Sequence, residues 1–219
     1  FFLLLLKFVS NLKQKTISGL LWTFSESFAN HLMSFAFGIV LARLLTPDDY
    51  GLVGMIMVFI VVSQALVDSG FGSALIRKEN VSDLDYSTAF LFNFIVSIIL
   101  YFVVFFAAGY IADFYNRPIL EDLLKVLAII LVINSLSLVQ NAKLQRNLNF
   151  KILTKTSVVS TLISGSIAII CALNGFGVWS LIIKTITLNL LNSSFLWYFS
   201  KWKPDRKSTR LNSSHESPS

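Results

Sequence analysis

Apolar residues run through this chain in long stretches, and short polar clusters interrupt them at regular intervals. Six stretches are long enough to cross a bilayer as helices, which takes ~20 mostly apolar residues. They cover Thr16 to Leu45, Asp49 to Ile76, Leu84 to Ala112, Ile119 to Gln140, Thr154 to Leu173 and Val178 to Phe199. The interruptions carry helix-breaking chemistry. Pro47 disfavours helix in the residue before it, and Asp48 or Asp49 is placed to cap the second helix. Asn116-Arg117-Pro118 separates the third stretch from the fourth, with the proline near a helix start. Asn174-Gly175-Phe176-Gly177 is a tight turn between the last two. The pattern predicts an all-α, polytopic integral membrane protein.

Composition agrees. Of 219 residues 55% are hydrophobic and 14% charged, and the mean hydropathy is +0.71, too apolar for a soluble domain. The net charge of +6 sits beside the spans, so it reads as topology signal and headgroup contact rather than a nucleic-acid footprint. One set of connections holds ten basic residues, among them Lys13, Arg77, Lys78, Lys143, Arg146, Lys151, Lys155 and Lys201; the alternate set holds Arg43, Arg117 and Lys125 beside several acids. The positive-inside rule therefore places both ends in the cytoplasm. Between Asn141 and Thr154, Leu144, Leu148 and Ile152 recur at helical spacing among basic residues. That suits an amphipathic helix on the inner leaflet or a plain loop. Cys171 is a lone cysteine, so no internal disulfide and no Cys/His metal spacing exists. Nothing points to a cofactor. No phosphate loop or nucleophile motif occurs, and Asp83-Leu84-Asp85 reads as a cap on the third helix.

Polar groups within the apolar stretches are the candidate chemistry, because ionisable groups at membrane depth are costly and face a partner or water by default. On the first helix Thr23, Ser27, Asn30 and Ser34 share a face, with Glu26 and Gly38 on or beside it. Such a stripe suits a hydrated cavity or helix–helix packing, and the carboxylate of Glu26 favours the cavity. His31 reads as a hydrogen-bonded helix residue. On the second helix Gln64, Asp68 and Gly72 follow at i, i+4 and i+8. Asp68 is a candidate to carry a coupling proton, hold a cation or pair with a basic residue; Ser69 to Gly72 suit a close backbone approach or a bend. Lys184 on the sixth helix is placed to attract an anion, pair with Glu26 or snorkel outward. Arg43 has snorkelling as its default. Asn93, Asn134 and Asn189 are expected to hydrogen-bond between helices.

Several strings together resemble the oligosaccharide flippases of the multidrug/oligosaccharidyl-lipid/polysaccharide exporter superfamily. They are Leu41 to Gly51 (LARLLTPDDYG), Asp68 to Ile76 (DSGFGSALI) and Leu144 to Phe150 (LQRNLNF), with Leu12 to Lys15, Gly19 and Trp22 upstream. The resemblance covers residues 11 to 204. It implies a transporter of two six-helix lobes, of which this chain would be the N-terminal one, in the bacterial inner membrane. The implied substrate is a polyprenyl-diphosphate-linked oligosaccharide, with membrane lipids and the second lobe as further partners. Arg43, Arg77 and Lys184 become candidates for the diphosphate; Glu26, Asn30 and Asp68 become candidates for the polar path. Residues 1–10 read as an upstream extension. Residues 205–219 resemble a translated sequencing adapter and read as a non-native tail, with the natural gene continuing past Pro204. The alternatives are a drug or peptidoglycan-precursor exporter of the same superfamily, a membrane-embedded transferase or ligase, and a non-transporting scaffold.

Overall fold

The computed structural model describes residues 24, 27–68, 70–78 and 81–200. Glu26, the upstream extension and the tail lie outside them. The described residues form helices without a strand: α1 (Ser27–Leu44), α2 (Pro47–Asp68), α3 (Phe71–Arg77), α4 (Asp83–Phe114), α5 (Ile119–Leu127), α6 (Ile129–Arg146), α7 (Phe150–Leu173) and α8 (Trp179–Ser200). Five spans are long and apolar enough to cross a membrane: α1, α2 with α3, α4, α5 with α6, and α7. The sixth predicted span is α8. Its 22 residues give ~33 Å, enough to cross, but Lys184, Asn189, Asn192, Ser193 and Ser194 dilute its apolar character. It packs chiefly on α7 and α6, so those groups need not meet lipid. The chain is a multi-pass membrane protein.

Helix ends follow the sequence closely. Thr46 and Asp49 close a reciprocal cap on α2: Thr46 N donates to Asp49 Oδ2 at 2.9 Å, and Asp49 N to Thr46 Oγ1 at 3.3 Å. Pro47 takes the first helical position, where a missing N–H costs nothing. Ser82 and Asp85 build the same box on α4, and Lys78 reinforces it with an ion pair to Asp85 at 2.8 Å. Gly70, at φ 78, supplies the bend expected near it and divides α2 from α3. At Ala128 the dihedrals stay helical, φ −56 and ψ −20, so α5 runs into α6 through a local irregularity.

One expected element is absent. Asn141 to Thr154 is not a separate amphipathic helix. Its first residues continue α6 to Arg146, a turn follows at Asn147 to Asn149 with Leu148 at φ 54, and Phe150 already starts α7. Leu144 is buried and Leu148 exposed, so the leucines do not share one membrane-facing stripe. The fourth span is thus longer than expected at its end, and the fifth begins four residues early.

The outer surface is far more apolar than that of a water-soluble protein. Phe102, Phe106, Tyr110 and Phe114 on α4 and Val58, Val61, Val62 and Leu66 on α2 are exposed, the natural surface for lipid. Fully buried positions include Asn93, Ser97, Ser135, Ser160 and Ser164. Ser97 donates to Ser135 at 2.9 Å to join α4 to α6. Gly165 lets α1 approach α7: a Cβ there would fall 2.5 Å from the Phe37 ring. Leu41 and Leu45 continue that contact onto Ala168 and Ala172. The leucines of α5 (Leu120, Leu123, Leu124 and Leu127) are wholly buried at helical spacing and anchor the main core.

The connections gather at two ends. Arg117 makes a forked pair with Asp48, at 3.0 and 3.3 Å, tying the α4–α5 turn to the α1–α2 turn. Gly177 lies within 3.5 Å of Asp49 Oδ1, measured from a Cβ position, which brings the α7–α8 turn beside them. At the opposite end Arg146 donates to the carbonyls of Leu75 and Lys78. The ammonium of Lys143 sits 5.7 Å from the centre of the Tyr86 ring. Among the described residues, the two charge sets that alternate along the sequence therefore occupy two separate ends of the bundle.

Candidate functional site

Near the basic end, α2, α3, α6 and α8 leave an open cleft of about 520 Å3. Its walls mix polar side chains with Ile76, Leu138 and Ala142. The C-terminal half of α2 contributes Gln64 and Asp68; the bend and α3 contribute Gly70, Gly72 and Ser73. The far half of α6 contributes Asn134, Ser137, Asn141 and Gln145, and α8 contributes Asn192. A second cleft of about 260 Å3 shares Asn141, Gln145 and Asn192 and extends along α7 to Thr156 and Ser157.

A chain of hydrogen bonds orders the wall. Asn134 Nδ2 donates to Gln64 Oε1 at 3.0 Å, and Gln64 Nε2 donates to Asp68 Oδ1 at 2.9 Å. The carboxylate thus fixes the orientation of both amides, because Gln64 must point its donor at Asp68 and its carbonyl at Asn134. On α6 Gln145 Nε2 donates to Asn141 Oδ1 at 2.8 Å. Beyond the second cleft, Asn30 of α1 donates to Ser157 at 2.7 Å and accepts from Thr161 at 3.1 Å. Side-chain hydrogen bonds thus join α2 to α6 at the larger cleft and α1 to α7 beside the smaller one. Carboxamides and hydroxyls both donate and accept, and the bonds named use part of that capacity.

Among the residues singled out from the sequence, Asp68 lines the larger cleft, as do Gln64 and Gly72 of its i, i+4, i+8 row. Asn30 is one hydrogen bond from the smaller cleft, through Ser157. Arg77 is exposed at the end of α3, following Ile76 of the cleft wall. Arg43 is exposed near the end of α1 at the other end of the bundle, and Lys184 is half-buried on the second turn of α8; neither lines a cleft. Glu26 lies outside the described residues. Asn134 does bond between helices as expected, whereas Asn93 and Asn189 donate to carbonyls of their own helices, Ala89 and Thr185. Asn141, Gln145 and Asn192 were missed. The signal for the first two was present: Asn134, Ser137, Asn141 and Gln145 step by three, four and four along one helix face.

Comparison with known proteins adds a family. The model described as "Polysaccharide biosynthesis protein" matches residues 40–214. The chain is 26% identical over 196 residues to the teichuronic acid biosynthesis protein TuaB of Bacillus subtilis, covering 89% of this chain and 41% of that protein. It is 27% identical over 185 residues to the lipopolysaccharide biosynthesis protein WzxC of Escherichia coli, covering 84% and 37%. With the succinoglycan biosynthesis transport protein ExoT of Rhizobium meliloti it shares 25% over 165 residues, covering 75% and 33%. The chain thus spans about two fifths or less of these relatives. No solved structure matches it.

Proposed function

This chain belongs to the family of polysaccharide biosynthesis proteins, and from that premise we propose that it forms one lobe of a flippase for lipid-linked oligosaccharide. The complete protein, on this reading, moves a polyprenyl-diphosphate-linked sugar across the bacterial inner membrane for surface polysaccharide synthesis. It acts as a transporter rather than an enzyme. The observation that carries the proposal is the amide-lined cleft beside Asp68. An oligosaccharide head needs a wet surface of donors and acceptors to cross hydrocarbon, while its lipid tail stays in the bilayer.

The basic end is the cytoplasmic one on this reading, by the positive-inside rule. The cleft then opens toward the side where the lipid-linked sugar is assembled. A second lobe, outside this chain, supplies the facing wall, and rocking of the lobes alternates access. Arg77 remains the candidate for the diphosphate, because it ends α3 next in sequence to the cleft wall. Residues 11–204 make up the lobe on this reading.

The test is complementation. The complete protein is expressed in a bacterium whose own lipid-linked oligosaccharide flippase is deleted, together with the matching glycan genes. Restored surface polysaccharide is the expected result. Lipid-linked oligosaccharide accumulating on the cytoplasmic leaflet, with the protein folded in the membrane, would reject the proposal.

A further inference from the structure

The cleft's chemistry narrows what it can hold. Its polar wall consists of five carboxamides (Gln64, Asn134, Asn141, Gln145 and Asn192), two serines and one carboxylate, Asp68. Among the described residues no lysine or arginine lines either cleft. Phosphate and carboxylate ligands are recognised by cations, most strongly by forked arginine contacts. Hydroxyl groups are recognised by neutral groups that both donate and accept. Asp68 is exposed to the cleft and already takes the Gln64 donor. Its negative charge repels a second anion placed beside it, at a separation shorter than the length over which salt screens.

We propose that this cleft binds uncharged, hydroxyl-rich sugar residues, that Asp68 excludes acidic sugars from it, and that the diphosphate of the carrier lipid is held elsewhere. The inference rests on the flippase reading and adds the class of sugar to it. Asp68 is the specificity determinant, and it also orients the cleft amides Gln64 and Asn134 through the two hydrogen bonds above. The bend at Gly70 presents Asp68 at the last residue of α2, where the side chain meets the cleft instead of a neighbouring turn. Two functions are thereby separated in space: sugar recognition in the amide cleft and anion recognition at a cationic site beyond it.

The experiment uses the complete protein in lipid nanodiscs, titrated by ligand-detected NMR with three probes. These are maltotriose, trigalacturonate and inorganic pyrophosphate. Maltotriose is expected to bind at least about tenfold more tightly than trigalacturonate, the scale of one close charge repulsion at a partly wetted site. Asp68→Asn should bring trigalacturonate within about twofold of maltotriose. Asp68→Ser should do the same, so a folding defect in one variant does not decide the matter. Gln145→Ala should weaken maltotriose, which places the binding in the cleft. Equal or tighter binding of trigalacturonate by the unsubstituted protein overturns the proposal. So does maltotriose failing to bind, pyrophosphate competing with it, or discrimination that survives both Asp68 substitutions. Complementation separates this from the function itself: restored polysaccharide with no discrimination rejects the neutral-sugar inference alone.

Discussion

Asn134→Leu separates a wet cleft from a polar seam between helices. The substitution removes the donor to Gln64 Oε1 at 3.0 Å and keeps the branched shape of the side chain. Where the wall is hydrated, water takes over at Gln64. The loss is then that of an ordinary interhelical hydrogen bond in a membrane protein, averaging ~0.6 kcal/mol and at most ~1.7. Where the wall is dry packing, a carbonyl is left without a donor, which costs ~1–3 kcal/mol. Asn134 is half-buried and Asp68 exposed, so the hydrated case applies and a stability loss below ~1 kcal/mol is expected. Transport should suffer more. A leucine removes a sugar-binding amide and frees Gln64 to rotate its donor away from Asp68, and a single lost contact worth ~1.4 kcal/mol lowers turnover tenfold. Stability is read by reversible unfolding in mixed micelles, and transport by the rate at which surface polysaccharide reappears after induction. A double-mutant cycle with Gln64→Leu reports the pairwise coupling. Destabilisation beyond ~2 kcal/mol with transport intact would refute the reasoning and make the row a packing element.

Three further outcomes follow from the geometry. Gly165→Val places side-chain atoms where the Phe37 ring already lies and should cost ~1–3 kcal/mol by overpacking; Gly54→Ala, with nothing within 4 Å, should be neutral or stabilising by up to ~1 kcal/mol, both read by the same unfolding assay. Ser82→Ala removes the side-chain acceptor for Asp85 N and should lower stability by ~0.5–2 kcal/mol, whereas Ser82→Asp should retain most of it. In a Cys171→Ala background, single cysteines at Asp48 and Phe176 should react with a membrane-impermeant thiol reagent in intact cells, and cysteines at Arg77 and Lys155 only after permeabilisation; the reverse pattern would invert the topology.

Much of the fold was legible because its determinants are local. Thr46-Pro47-Asp48-Asp49 specifies a cap, a first-turn proline and an acidic first turn in consecutive residues, and Ser82 to Asp85 repeats the device. Gly70 was readable as a bend because glycine takes φ 78 without steric cost. Charge alternation assigned connections to two sides, and the Asp48–Arg117 and Arg146–Leu75 contacts place them at two ends. The pairing of α1 with α7 was not legible. It depends on Gly165 meeting Phe37 across 128 positions of chain, and a glycine in an apolar stretch says that something approaches closely without saying what.

The site was read in half, for one physical reason. A hydropathy pattern cannot separate a helix leaving the bilayer from a helix that stays within it and lines water, since both turn polar at the same place. On sequence the fourth span therefore ends at Gln140, and Asn141 to Gln145 read as part of an amphipathic surface helix or a plain loop. The structure continues α6 to Arg146, and that one further turn and a half supplies two of the five carboxamides in the cleft. The discriminating signal was the phase of the polar residues. Asn141 and Gln145 stay on the face begun by Asn134 and Ser137, while Ala142 and Leu144 remain buried. A helix emerging into water loses that phase, because every side becomes solvated. A polar row that keeps helical register past the end of the apolar run marks a lined cleft, and here it points to the wall that Asp68 faces.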